Sequence, residues 1–200
     1  MTSLPALSEM LRADLTHLHE RPVSREPVYK GNLLHVVRDQ VALADGHNAT
    51  REMILHPGAV MIVPVLSDGR VVVELQYRHP LGQVVIEFPA GKLDAGESRL
   101  LGAQRELREE TGFAAKRWAH MGEVAPAIAY SDERIDMWLA TDLVAGHTER
   151  DEGELLEVCA AEVSELKALV HSGVICDSKT LAGLMWLCDW RAGEWSPQWR

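Results

Sequence analysis

A mixed α+β fold, one strand-rich core with helices against it, is what the sequence predicts, and three observations predict it. Short Val- and Ile-rich runs alternate with turn residues, the apolar period switches to helical spacing after Gly91, and two amphipathic helical stretches follow in the last third. The 200 residues, 46% hydrophobic and 25% charged, suit one domain or one elaborated domain that buries a sizeable core.

The elements follow in chain order. Leu4, Leu7, Met10, Leu11, Leu15 and Leu18 are spaced like one face of a helix over Leu4 to Glu20, a surface helix or a partner-docking segment. Pro27 to His56 reads as extended segments punctuated by Asn32, Asp45-Gly46 and Asn48, a small antiparallel unit ahead of the main fold. Ala59 to Leu66 and Arg70 to Tyr77 flank Ser67-Asp68-Gly69, which marks a hairpin turn between two strands, and Gln83 to Phe88 is a third strand. Leu100, Ala103, Leu107 and Glu110 fall on helical spacing, so a helix runs from about Ser98 to Thr111. Gly112 ends it, since glycine adopts the left-handed conformation of a helix stop, and Phe113 packs back on the last turn. Ala115 to Val124 and Ile135 to Thr141 read as strands around a loop holding Pro126 and Ser131-Asp132-Glu133, and Leu155 to Ala160 as another. Val163 to His171 and Ser178 to Trp190 are helices, the second capped by Asp177 or Ser178.

Twenty Lys and Arg against 30 Asp and Glu leave a net charge of -10, which argues against a nonspecific nucleic-acid coat or an anionic-membrane binder. An anionic ligand then needs local positive charge or an accompanying metal. Cys159, Cys176 and Cys188 are spaced too widely for a Cys-x-x-Cys pair and read as reduced, mostly buried thiols in a cytoplasmic protein. Neither an export signal nor an apolar run approaching the roughly 20 residues of a membrane helix is visible. The histidines show no metal-ligand spacing, Trp186 and Trp190 read as a packed helix face, and the Gly-Lys-Ser/Thr and Gly-x-Ser-x-Gly patterns of phosphate loops and nucleophile elbows are absent.

The chemistry concentrates in the first long helix. At about 100° per residue, Glu106 and Glu110 share one face and Glu109 flanks them. A charge run alone usually marks a solvated face, here with an Arg105 to Glu109 ion pair. Like charges at this spacing repel by roughly 0.2–0.5 kcal/mol per pair, and a hard divalent cation with oxygen ligands relieves that repulsion. Gly91, Glu97, Arg105-Glu106-Leu107, Glu109-Glu110, Gly112 and Phe113 stand at the spacing of the Nudix box, Gly-x5-Glu-x7-Arg-Glu-apolar-x-Glu-Glu-x-Gly-apolar. That coincidence has a chance probability on the order of 10⁻⁷ in a chain of this length.

The chain therefore resembles the Nudix hydrolases, with the box at 91–113 and wider similarity from about Val28 to Trp190. Gln76-Tyr77-Arg78, Glu87 to Asp94, Arg51-Glu52 and His56 to Val60 resemble the ADP-ribose pyrophosphatase branch. The resemblance implies an αβα sandwich, a mixed sheet between helices, preceded by an antiparallel strand unit. It implies residues 1–57 as a dimer-forming helix-and-strand unit and 58–200 as the hydrolase domain. It also implies Mg²⁺, or Mn²⁺, held by Glu106, Glu110, Glu109 and the Ala90 carbonyl, with Glu97 and Arg105 as the ion pair that ties loop to helix. Arg105 and Glu109 count in the catalytic set, and Gly91, Glu97 and Gly112 are the structural positions.

An acidic loop at Asp151 to Glu154 would supply Glu152 as base and Glu154 as a further ligand, or the two with roles exchanged. Arg78 and Arg51 match substrate-side arginines, and Ser131 and Glu133 face substrate from the loop after the box. That loop, Ala125 to Tyr130, departs from the branch's Ser-Pro-Gly-like wording, which leaves the sugar open. Tyr130 reads equally as a ring-stacking or a packing residue. The implied activity is hydrolysis of ADP-ribose or a related nucleoside diphosphate sugar by a homodimer. A different specificity, such as GDP-mannose or a dinucleotide, and a noncatalytic ADP-ribose sensor are the alternatives. Intact Glu106, Glu109 and Glu110 weigh against the sensor.

Overall fold

The strands and helices of the computed structural model, which describes residues 4–150, 153 and 155–200, fall into two units. One holds residues 4–56 with Ala129–Asp132, and the other Pro57–Ile128 with Glu133–Arg200.

In the first unit, α1 (Leu7–Met10) and a 3₁₀ turn (Thr16–Leu18) precede β1 (Arg21–Lys30), β2 (His35–Ala42) and β3 (Asn48–Leu55), an antiparallel sheet in the order β1-β2-β3. The helix expected over Leu4 to Glu20 is thus reduced to one turn. Leu4, Leu7, Leu11 and Leu18 stay exposed, and without a buried face so short a helix does not recover its nucleation cost. Arg25 pairs with Asp39 across the sheet at 2.7 Å through both Nε and Nη2, and Val37 and Val41 fill the buried side. The segment 129–132 joins β3: the Ile54 amide donates to the Tyr130 carbonyl at 2.8 Å and the His56 amide to Asp132 Oδ1 at 2.8 Å.

The second unit contains β4 (Ala59–Pro64), β5 (Val71–Arg78), β6 (Gln83–Glu87), β7 (Ala90–Lys92), α2 (Arg99–Thr111), β8 (Phe113–Val124), β9 (Ile135–Ala145), β10 (Leu156–Ala161), α3 (Val163–His171) and α4 (Ser178–Ala192). Its main sheet is mixed, in the order β7-β4-β9-β8, with β4 and β9 parallel and the outer pairs antiparallel. Strand alternation divides the core in two. Val60, Ile62, Trp138 and Ala140 pack with Ala103 and Leu107 of α2, whereas Ala59, Met61, Val63, Met137 and Leu139 pack with Leu166 of α3 and Leu184 and Leu187 of α4. The sheet is covered on both faces, and β4 is buried along its whole length, as an uninterrupted apolar strand demands.

The expected hairpin between β4 and β5 forms only at its turn. The Leu66 amide donates to the Arg70 carbonyl at 2.8 Å and Val65 bridges Val71, but β5 then enters a separate antiparallel sheet, β10-β5-β6. Both hydrogen-bonding edges of β4 are taken by β7 and β9, so β5 has no edge there to extend. The cysteine expectation is also corrected. All three are unpaired, but Cys159 and Cys176 are exposed and only Cys188 is half-buried, because Cys159 lies on the open side of β10. Among the described residues, no helix is long and apolar enough to cross a membrane.

Helix α4 approaches the sheet closely at Gly183, where a Cβ would lie 2.7 Å from Met61 Cε and 3.2 Å from both Phe88 Cδ2 and Val63 Cγ2. Gly183→Val should therefore destabilise the protein by about 1–3 kcal/mol through overpacking. A urea midpoint at or above wild type would contradict this close contact.

Candidate active site

Helix α2 carries the box acids and is delimited at both ends. Ser98 Oγ accepts from the Leu101 amide at 3.4 Å, and Gly112, with φ 74°, donates its amide to the Arg108 carbonyl at 2.8 Å. A Cβ on Gly112 would lie 3.1 Å from the Thr148 amide nitrogen, so space as well as backbone conformation requires glycine there. With Ala103 and Leu107 turned into the core, the neighbouring face of α2 meets β7. Glu106 and Glu110 lie on it at 8% and 2% exposure. The acidic face is therefore buried where a bland surface helix would leave it in water, and buried carboxylates need compensating partners.

Those partners are specific. Glu110 Oε2 accepts from the Ala90 amide at 3.0 Å. Arg105 donates to Glu106 at 2.8 Å, to Glu109 at 3.0 Å, to Glu97 at 3.0 and 2.9 Å, and to the Lys92 carbonyl at 2.9 Å. Glu97, then Glu106 and Glu109, hold the guanidinium pKa well above its ordinary value against the opposing cost of burial. Its hydrogen bonds to Arg105 hold the Glu97 carboxyl below the usual range. A Cβ placed on Gly91 would fall 2.0–2.3 Å from the Glu106 carboxylate atoms, so the missing side chain makes the space in which that carboxylate sits. Two acids from one helix thus sit beside the Ala90-Gly91 backbone.

Arg78, at the end of β5, is bound to the buried Glu87 through Nε at 2.6 Å and Nη2 at 3.0 Å. Burial opposes its charge, yet Glu87, with Glu74 and Glu110 nearby, keeps its pKa above the ordinary value. Glu87 also meets Lys179, which pairs with Asp177 at 2.9 Å. Burial pushes the Asp177 carboxyl up, but Lys179 and Thr180 outweigh it and hold it below its usual range.

The second unit thus brings together Ala90, Gly91, Glu97, Arg105, Glu106, Glu109 and Glu110, with Arg78 in electrostatic reach of Glu110. Arg51 and Ser131 belong to the first unit, where Arg51 is paired with Glu20 and Ser131 bridges Ile54. Glu133 is half-buried just before β9 in the second unit. Glu152 and Glu154 lie outside the described residues. Sequence reasoning assigns no role to Glu74, Glu87, Lys179 or Thr180. One signal for them exists: Lys179 stands four and eight residues before Gly183 and Leu187, on the inward stripe of α4.

A buried, arginine-braced acidic helix edge against a glycine-bearing strand defines the class, and comparison agrees. The chain belongs to the Nudix family, as a Nudix hydrolase: the NUDIX domain model matches residues 55–182. Among its relatives, an ADP-ribose pyrophosphatase of Bacillus subtilis (strain 168) is 33% identical over 172 residues, 85% of this chain and 93% of that protein. A methanol dehydrogenase activator of Bacillus methanolicus is 31% identical over 170 residues, 84% of this chain and 92% of that protein. The crystal structure of an ADP compounds hydrolase superposes with a TM-score of 0.78 at 25% identity, covering 87% of this chain and 96% of the other.

Nudix hydrolases generally use divalent metal ions. The donor set here suits a hard cation, since Glu106 and Glu110 bring carboxylate oxygens next to the Ala90-Gly91 backbone. Among the described residues, no three acidic, histidine or cysteine side chains are already gathered as a metal cage. In this structure Arg105 supplies the counter-charge to Glu106 and Glu109.

Proposed function

We propose that this protein hydrolyses the diphosphate linkage of ADP-ribose, or of a closely related nucleoside diphosphate sugar, to a nucleoside monophosphate and a sugar phosphate. The observation that carries the reading is the burial of Glu106 and Glu110 beside Ala90-Gly91, which gathers two carboxylates from one helix face next to the box glycine, an arrangement suited to a hard cation. The names of the Bacillus subtilis relative and of the superposed hydrolase support an ADP-containing substrate. The differently named Bacillus methanolicus relative is why the substrate has to be measured.

Glu106, Glu110 and the Ala90 carbonyl would hold Mg²⁺ or Mn²⁺, with Glu109 beside them and Glu154 as a further ligand. A cation bound there supplies charge neutralisation for the diphosphate. Arg105 keeps the carboxylates oriented through its bonds to Glu97, Glu106 and Glu109. Arg78 would offer the donors that Glu87 leaves free to phosphate, and Glu133 of the same unit would lie on the substrate side. Glu152, or Glu154 in its place, takes the proton from the attacking water as the phosphorus–oxygen bond breaks. A homodimer built through the first unit and a cytoplasmic location complete the reading, the latter in keeping with three unpaired cysteines.

A panel of nucleotide sugars and dinucleotides, assayed with Mg²⁺ or Mn²⁺ and a coupled phosphatase that reveals monophosphate products, tests the proposal. The expected result is the highest kcat/KM on ADP-ribose or a near relative and no turnover after chelation. Tight ADP-ribose binding with no turnover on any substrate would replace the enzyme by a sensor.

A further inference from the structure

The Phe88-Pro89-Ala90 segment is held one residue at a time by three different elements. The Phe88 amide donates to Thr180 Oγ1 on α4 at 3.1 Å. The Pro89 carbonyl accepts from the Ile62 amide of β4 at 2.9 Å. The Ala90 amide donates to Glu110 of α2 at 3.0 Å. One residue earlier, Glu87 is gripped by Arg78 on β5 and Lys179 on α4. Thr180 is fully buried, Phe88 is fully buried, and Lys179 is nearly so.

The first turn of α4 is itself tied down by side-chain bonds. The Asp177 carboxylate caps the Thr180 amide at 2.9 Å and pairs with Lys179 at 2.9 Å. Helices α4 and α2 pack on opposite faces of the main sheet, so this segment is the physical link by which one helix sets the backbone against the other's carboxylates. A buried lysine is a costly way to stabilise a helix start, and a hydrophobic residue of similar volume would fill the same space. Its charge is explained by what it holds.

We propose that Lys179 and Thr180 are positioning residues: from the first turn of α4 they fix the Glu87–Ala90 segment so that the Ala90 backbone stays beside Glu106 and Glu110 in the geometry that receives a divalent cation. The proposal deepens the hydrolase reading and rests on it. Loss of groups that orient metal-binding residues typically weakens metal affinity by about 10–100-fold, and that is the effect expected here.

The test uses Mn²⁺ alone, without nucleotide, with free Mn²⁺ read by electron paramagnetic resonance on the full chain. Thr180→Val keeps the shape and removes the acceptor for the buried Phe88 amide, whereas Thr180→Ser keeps the hydroxyl. With a native circular dichroism spectrum in each, Thr180→Val should bind Mn²⁺ at least about 10-fold more weakly than wild type, and Thr180→Ser should recover most of the loss. Lys179→Met should weaken binding similarly and Lys179→Arg should rescue it in part. If Lys179→Met does not fold, the two Thr180 variants decide the matter alone. Wild-type Mn²⁺ affinity in folded Thr180→Val overturns the proposal. Glu106→Gln is the control: if it too leaves Mn²⁺ binding untouched, the metal reading fails and takes this inference with it. If Glu106→Gln abolishes binding while Thr180→Val does not, the positioning role alone is wrong.

Discussion

Glu106→Gln and Glu110→Gln should each lower kcat by at least about 10²-fold, since the charge removed is one that a bound cation and the developing phosphate charge both depend on. Either change keeps the shape of the side chain. The amide oxygen of a glutamine at 110 can still accept from the Ala90 amide, now 3.0 Å from Glu110 Oε2. A glutamine at 106 weakens one bond to Arg105, which retains Glu97 and Glu109. The fold should therefore survive, and removing one of two buried like charges relieves repulsion of roughly 0.2–0.5 kcal/mol. Loss of turnover with an unchanged or raised melting temperature is the signature of a group kept for chemistry. Near-wild-type rates in both variants would remove Glu106 and Glu110 from the metal site.

Gly91→Ala should match the loss caused by Glu106→Gln, although it deletes no functional group. Its Cβ would fall 2.0–2.3 Å from the Glu106 carboxylate atoms, closer than real side chains approach. The backbone has little room to yield, because Gly91 pairs with Val60 at the centre of the β4–β7 ladder and its neighbour Ala90 is bound to Glu110. The Glu106 carboxylate, at the end of a flexible side chain, must move instead. The cost to stability is then small and the cost to activity large. A Gly91→Ala/Glu106→Gln double variant should be hardly worse than either single change, since both act on one carboxylate. Independent, additive losses, or an active Gly91→Ala, would show that Glu106 does not work from its present position.

The helix from Ser98 to Thr111, its serine cap and its glycine stop follow from short-range rules, and the structure contains them at Arg99–Thr111. Helices α3 and α4 are equally legible, since helical period is a property of neighbouring residues, and the extended reading of Pro27 to His56 holds for β2 and β3, whereas β1 already starts at Arg21. The leucine-rich start misleads, because helical spacing encodes a face and not the partner that must cover it. The turn at Ser67-Asp68-Gly69 is legible too, but which strands pair across it depends on competition for the edges of β4.

By itself, the sequence determined that three carboxylates and an arginine share one helix edge, and that a glycine, a glutamate and that edge stand at the spacing of one family. Only the tertiary structure decided that Glu106 and Glu110 are buried against Ala90-Gly91, that Arg78 is committed to Glu87, and that Lys179 and Thr180 reach back across the chain to the segment before the box. The physical reason is range. Spacing along a helix is set by bonds between near neighbours, whereas the partners of a buried charge or amide are chosen by whichever distant element packs beside it, and desolvation then makes that choice binding.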